Sequence, residues 1–239
     1  MAEAALVGRA DEHRFFTGLA LAMLGLTVLG FSRTYLLVPQ LGLPPDTLPF
    51  TPLVHLHAAV AFGWCLLFAV QAWLVASGRT RQHRKLGLLG VALYVALVLL
   101  GPFVAINSVA RYGAPPDELA FLAVSVGNIV AYTSLFGAAF YWRRRPDVHK
   151  RLMVLGMVAM LTAPFGRLLA LPYQLDHVAG PGLVAVALVW WDYRALGRMH
   201  AVTYYGAPAI VLWELLPNMY MNTPWWMSTA QWLVSTVAG

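Results

Sequence analysis

Long apolar runs, broken by short polar clusters, set the pattern of this chain. The runs cover roughly 15–38, 52–77, 86–109, 118–141, 152–171, 181–191 with its flanks, and 201–220. An α-helix needs about 20 apolar residues to cross the hydrocarbon core of a bilayer. All but the sixth run reach that length, so the pattern predicts an all-α, polytopic membrane bundle of about seven transmembrane helices. Pro102, Pro164 and Pro208 fall inside runs. Membrane helices accommodate such prolines as kinks, because neighbouring groups satisfy the freed carbonyl. The tail from Met221 to Gly239 is shorter and carries Trp225, Trp226 and Trp232. Tryptophan favours the membrane–water boundary, so residues 221–239 are expected to lie as an interfacial tail. The expected organisation is a single transmembrane domain over 1–239, with a cytoplasmic segment at 1–14.

Composition agrees with that pattern. Of the 239 residues, 60% are hydrophobic and only 11% charged, whereas soluble domains carry about 25% charged residues. The single cysteine, Cys65, excludes an intramolecular disulfide framework and any Cys-rich metal or iron–sulfur site. The first run is too long for the core of a cleavable signal peptide and lacks a small-x-small cleavage site, so it is expected to stay as a membrane helix.

Charge orients the chain. Arg9 and Arg14 precede the first run; Arg79, Arg81, Arg84 and Lys85 join the second to the third. Arg143, Arg144, Arg145, Lys150 and Arg151 join the fourth to the fifth, and Arg194 and Arg198 join the sixth to the seventh. Thirteen of the 16 Lys and Arg therefore fall on one face. Cytoplasmic loops are the ones enriched in Lys and Arg, so the N-terminus is expected in the cytoplasm and the C-terminus outside, in a multi-pass protein of a bacterial inner membrane. The net charge of +6 is thus accounted for by topology, not by nucleic-acid binding. Its expected surroundings are lipid, with a membrane-protein partner or a second copy left open.

Ionisable groups within a membrane are costly and mark function or a necessary pair. They fall into two layers. The outer layer holds Arg33, His55, His57, Asn107, Arg111, Arg167, His177 and Glu214. Glu214 reads as the only acidic residue inside a run, and Arg167 lies at similar depth, so a structural ion pair Arg167–Glu214 is expected. His57, Trp64 and Gln71 are spaced seven apart and share one stripe. His55 is rotated about 200° from His57, which makes His57 the inward histidine. The inner layer holds His83, His149 and His200, each where a cytoplasmic loop enters a run. Equal depth would let them converge on a metal, since imidazole is the commonest protein metal ligand; alternatively they sit among headgroups beside Arg and Lys. His57 and His83 are 26 residues apart, about 40 Å along a helix, so the layers cannot share a ligand. "HRKLGLLGV" from His83 and "HKRLMVLGMV" from His149 echo each other, which hints at two related hairpins.

The pattern His55-Leu56-His57, Trp64, Gln71, Gly78-Arg79, His83-Arg84 and Leu86-Gly87 resembles an uncharacterised family of bacterial multi-span membrane proteins. Pro146 to Arg167 resembles a second block of that family. A related family of unknown function has a similar block, matched here by His149, Met153 and Arg167, with Leu152 where that family has Trp. The chain is also similar to b-type cytochromes, which ligate haem with histidines on two helices. Two-haem members often place two ligands about 14 residues apart on one helix. The residue at that spacing from His57 is Gln71, which argues against two stacked haems.

Three functional classes fit these residues. One is a redox centre, haem b or another metal, held in the outer layer by His57 with His177 or His55, with Arg33, Arg111 or Arg167 pairing with propionates. Another is a non-catalytic subunit or assembly factor whose polar layers join helices. The third is a membrane enzyme or carrier for a lipid, quinone or small anion. A retinal protein is not expected: the only lysines, Lys85 and Lys150, lie in cytoplasmic loops, and no run holds a Schiff-base lysine.

Overall fold

Proline opens the helices of this protein. Pro52, Pro116, Pro146, Pro217 and Pro224 each stand at a first helical position, where the missing N–H costs nothing and the fixed φ favours the helix. Glycine follows the ends of two: Gly78 and Gly197 have φ of 73° and 69°, the left-handed conformation that ends a helix without a Cβ clash. In the computed structural model, residues 7–44, 47–169 and 173–238 are described.

The described residues are all-α. α1 (Arg9–Phe31) runs through a π-helical turn (Ser32–Leu36) into the short α2 (Val38–Leu41). There follow α3 (Pro52–Ala76), α4 (Thr80–Arg111), α5 (Pro116–Tyr141), α6 (Pro146–Leu169) and α7 (Tyr173–Leu196). The chain closes with α8 (Ala201–Leu215), α9 (Pro217–Tyr220) and α10 (Pro224–Ala238). Five helical segments are long and apolar enough to cross a membrane: Arg9–Leu41, Pro52–Ala76, Thr80–Arg111, Pro116–Tyr141 and Pro146–Leu168. Pro102, Pro164 and Pro208 lie inside α4, α6 and α8, as does Pro181 in α7. The sixth run, short by composition, lies in a full 24-residue helix, α7.

α6 is the axis of the bundle. Two thirds (67%) of its apolar window is buried, against 22% or less for α1, α3 and α4. It packs against α1, α5, α7 and α8, while the α3–α4 hairpin leans on α1 through α3 and on α5 through α4. Outward faces carry exposed large apolar residues such as Leu88, Leu99, Leu183 and Leu212, a surface suited to lipid. With lipid tails as apolar as leucine, helix association depends on close packing and small residues. A Cβ on Gly30 would lie 2.3 Å from the Pro164 carbonyl oxygen, so α1 and α6 meet backbone to backbone. A Cβ on Gly156 would lie 2.4 Å from the Phe136 ring, which seats α5 on α6.

The C-terminal segment forms a helix packed on the bundle. α10 packs against α4 and α5. Its Trp226, Ala230 and Val234 join a core with Val109, Leu119 and Leu122, and the Trp226 indole donates to the Leu119 carbonyl at 2.9 Å. Trp225 and Trp232 remain exposed. One face of the segment is apolar at helical spacing, and that face covers the α4–α5 turn.

Candidate functional site

The ends of α1, α3, α4, α5 and α6 that carry the basic clusters surround one cavity of about 680 Å³. Its walls are apolar, with Phe16, Trp64, Leu67, Phe68, Phe140 and Met153. Its polar lining comes from Gln71, His83 and His149, and its basic rim from Arg84, Arg143, Arg144 and Lys150. Lys150 is held at the rim by Glu12, 2.7 Å away, and by the Phe16 ring at 4.9 Å. Four polar atoms among these lining residues are buried without a hydrogen-bond partner: Thr17 Oγ1, Trp64 Nε1, Gln71 Oε1 and His83 Nδ1. Buried polar atoms are satisfied in the great majority of cases. Four exceptions thus belong to residues that line this one cavity.

The stripe His57, Trp64, Gln71 follows α3. Trp64 is fully buried and Gln71 lines the cavity, its Nε2 donating to the His83 carbonyl at 3.2 Å. The two echoed segments open α4 and α6, and their histidines, His83 and His149, line the same cavity. His149 Nδ1 is 2.8 Å from the Ala139 carbonyl. His200 does not join them. Its Nδ1 caps α8 by accepting from the Val202 amide at 3.1 Å, and its Nε2 lies 3.2 Å from Asp147. The expected convergence of His83, His149 and His200 on a metal is thus corrected: His200 is committed to a helix cap, and no group of three His, Cys, Asp or Glu side chains suited to a metal occurs among the described residues.

Beside His200 lies an ion pair that the sequence did not reveal. Arg151, grouped with the basic loop by its position, is 2% exposed and reaches Asp192, which is 0% exposed. Arg151 Nη2 and Nε both donate to the Asp192 carboxylate. Asp192 also accepts from the His200 amide at 3.0 Å, and Arg151 Nη1 donates to the Asp147 carbonyl at 2.9 Å. This network joins α6, α7 and the start of α8. It also corrects the expectation that Glu214 is the only acidic residue inside a helix of the bundle. The available signal was an aspartate directly after the apolar run ending in Trp190-Trp191, opposite an arginine at the start of the preceding long helix.

At the other end the outer residues are dispersed. Tyr35 Oη and His55 Nδ1 are 2.8 Å apart, with His55 exposed against the Phe50 ring. His57 Nδ1 is buried without a partner. Arg33 is exposed in the π turn, and Arg111 donates to the Pro49 carbonyl at 2.7 Å, pinning the loop before α3. His177 lies outside the described side chains.

The expected Arg167–Glu214 pair is also corrected. The Arg167 guanidinium stacks 4.7 Å from the Phe31 ring centre and donates to the Ala163 carbonyl at 2.8 Å. Glu214 is 1% exposed and accepts from Thr162 Oγ1 at 3.0 Å. With its amide nitrogen toward the carboxyl, Asn128 donates to both Glu214 oxygens at 3.0 Å. Similar depth did not bring the two charges together because Arg167 turns along α6 toward α1, whereas Glu214 faces α5. Compared with known proteins, the chain matches no family model, no curated protein and no solved structure.

Proposed function

We propose that this is a multi-pass inner-membrane protein of about seven spans, N-terminus in the cytoplasm, that binds an amphiphile in the cavity between α1, α3, α4 and α6. The class of ligand is a lipid or quinone: an apolar body against Trp64, Phe68 and Met153, and a polar or anionic head among Gln71, His83 and the basic rim. The observation that carries this reading is the cavity's lining, apolar walls meeting Gln71, His83, His149 and a basic rim of Arg84, Arg143, Arg144 and Lys150. A small anion alone would leave the apolar walls unused. Of the residues in the motif from His55 to Gly87 that carries the resemblance, Trp64, Gln71, His83, Arg84 and Gly87 line this cavity.

Organic extraction of protein purified in native lipid, followed by mass spectrometry, tests it. A specific amphiphile should co-purify with the wild type and be depleted by His83→Ala and by Ala72→Trp, which fills the cavity. Extracts of identical composition from all three would overturn the reading. A second reading, haem b or a metal at His55, His57 and His177, has one observation in its favour, the buried unpartnered Nδ1 of His57. An absorption spectrum of the purified protein, oxidised and reduced, separates the two.

A further inference from the structure

Glu214 is a buried carboxyl whose described partners are all neutral. Trp213 Nε1 donates to the Gly127 carbonyl at 2.9 Å, which fixes the register of α8 on α5. The following residues on each helix, Asn128 and Glu214, then meet at 3.0 Å. α6 contributes Thr162, itself buried, whose hydroxyl donates to the same carboxyl. The other helices packed on α8 are α7 and α9. From α7, Val184 and Leu188 share the core with Ile210 of α8, and both are apolar. From α9 comes Asn218, four residues beyond Glu214. The nearest arginine on α6 by sequence, Arg167, is turned to Phe31. Among the described residues, no ion pair joins Glu214 to any cation.

Neutral hydrogen-bond donors stabilise a carboxylate but do not cancel its charge, and an unpaired charge inside a membrane is costly. A proton cancels it. A carboxylic acid still accepts from Thr162 and Asn128, and it gains one O–H that must be donated. A fitting acceptor lies one helical turn on, the spacing that places two side chains on one face: Asn218 Oδ1 is buried without a donor. Leu216, the single residue between α8 and α9, keeps helical angles, φ −57° and ψ −42°.

We propose that Glu214 is a proton-binding site inside the membrane, holding its carboxyl in the neutral acid form at neutral pH, with Thr162, Asn128 and Asn218 as its hydrogen-bond partners. Release of the proton leaves a carboxylate that faces only neutral groups among the described residues, so proton occupancy is linked to the packing of α5, α6 and α8. The site is separate from the cavity at the basic end and stands or falls independently of it.

Infrared spectroscopy of the reconstituted full chain tests this. At neutral pH in potassium buffer, the wild type should show a carboxylic-acid C=O stretch that Glu214→Gln removes. Thr162→Val and Asn218→Leu should keep that band and shift it, because each removes one hydrogen bond to the acid. Wild-type protein showing no acid band at neutral pH would overturn the proposal, as would a band unmoved by all three substitutions. Loss of the band on adding sodium chloride would overturn it too, since the site would then take a metal cation. If Glu214→Gln does not fold, the shifts in the other two variants decide the matter alone.

Discussion

Asp192 and Arg151 show how much a single buried charge weighs in this bundle. Each is enclosed, and each has the other as its counter-ion. Replacing Asp192 by Asn leaves Arg151 charged and unpaired, and breaking such a pair costs about 3–5 kcal/mol in soluble proteins. Thermal unfolding in detergent should show a large drop for Asp192→Asn, with part of it recovered in the double variant Arg151→Met, Asp192→Leu. Glu214 behaves differently because its partners among the described residues are neutral. Glu214→Gln has the shape of the acid and keeps an acceptor for Thr162, so it should melt close to wild type. Glu214→Leu strands Thr162 and Asn128 and should cost about 1–3 kcal/mol. Arg167→Gln should reproduce neither effect, since Arg167 belongs to the α1 contact.

The helices are held by close approach at a few small residues. Gly30 touches the backbone of Pro164, which has no rotamer to yield. Gly30→Ala must push α1 from α6, and overpacking of this kind costs about 1–3 kcal/mol. Gly25, on the same helix, has open space where its Cβ would stand, so Gly25→Ala should be neutral or slightly stabilising. A pair of melting curves distinguishes the two, and equal behaviour would show that the α1–α6 crossing is not tight. The C-terminal helix is an element that composition hid. Trp226→Ala removes both its buried ring and its bond to Leu119, and faster proteolysis after Thr223 than in the wild type is the expected readout.

For the whole molecule, the two ends differ in kind. One gathers the basic clusters around an apolar cavity with unpaired polar atoms. The other ties loops to helix ends through Arg111 and Pro49, and through the Leu48 amide and Tyr112. The proposed orientation places the first end in the cytoplasm. A topology reporter inserted at Arg144 should be active only in its cytoplasmic form, and one inserted at Gly113 only in its periplasmic form. The same readout at both positions would defeat α5 as a membrane crossing.

Hydropathy alone determined that the protein is helical and apolar enough for a membrane, because burying backbone in lipid demands internally bonded helices and long apolar runs. Spacing alone determined the stripe of His57, Trp64 and Gln71, since residues seven apart share a helix face. The repeated opening of α4 and α6 was visible as two short matching segments, and its consequence, His83 and His149 on one cavity, needed the packing of those helices. Depth along a helix fixes height in the membrane but leaves rotation and neighbour undetermined. For that reason Arg167 and Glu214, level in sequence terms, face different helices, and His200 leaves the other inner histidines to cap α8. The pairing of Arg151 with Asp192 joins residues 41 apart in sequence. Only the tertiary structure decided it, because a buried charge takes whichever counter-ion the helix packing brings within reach.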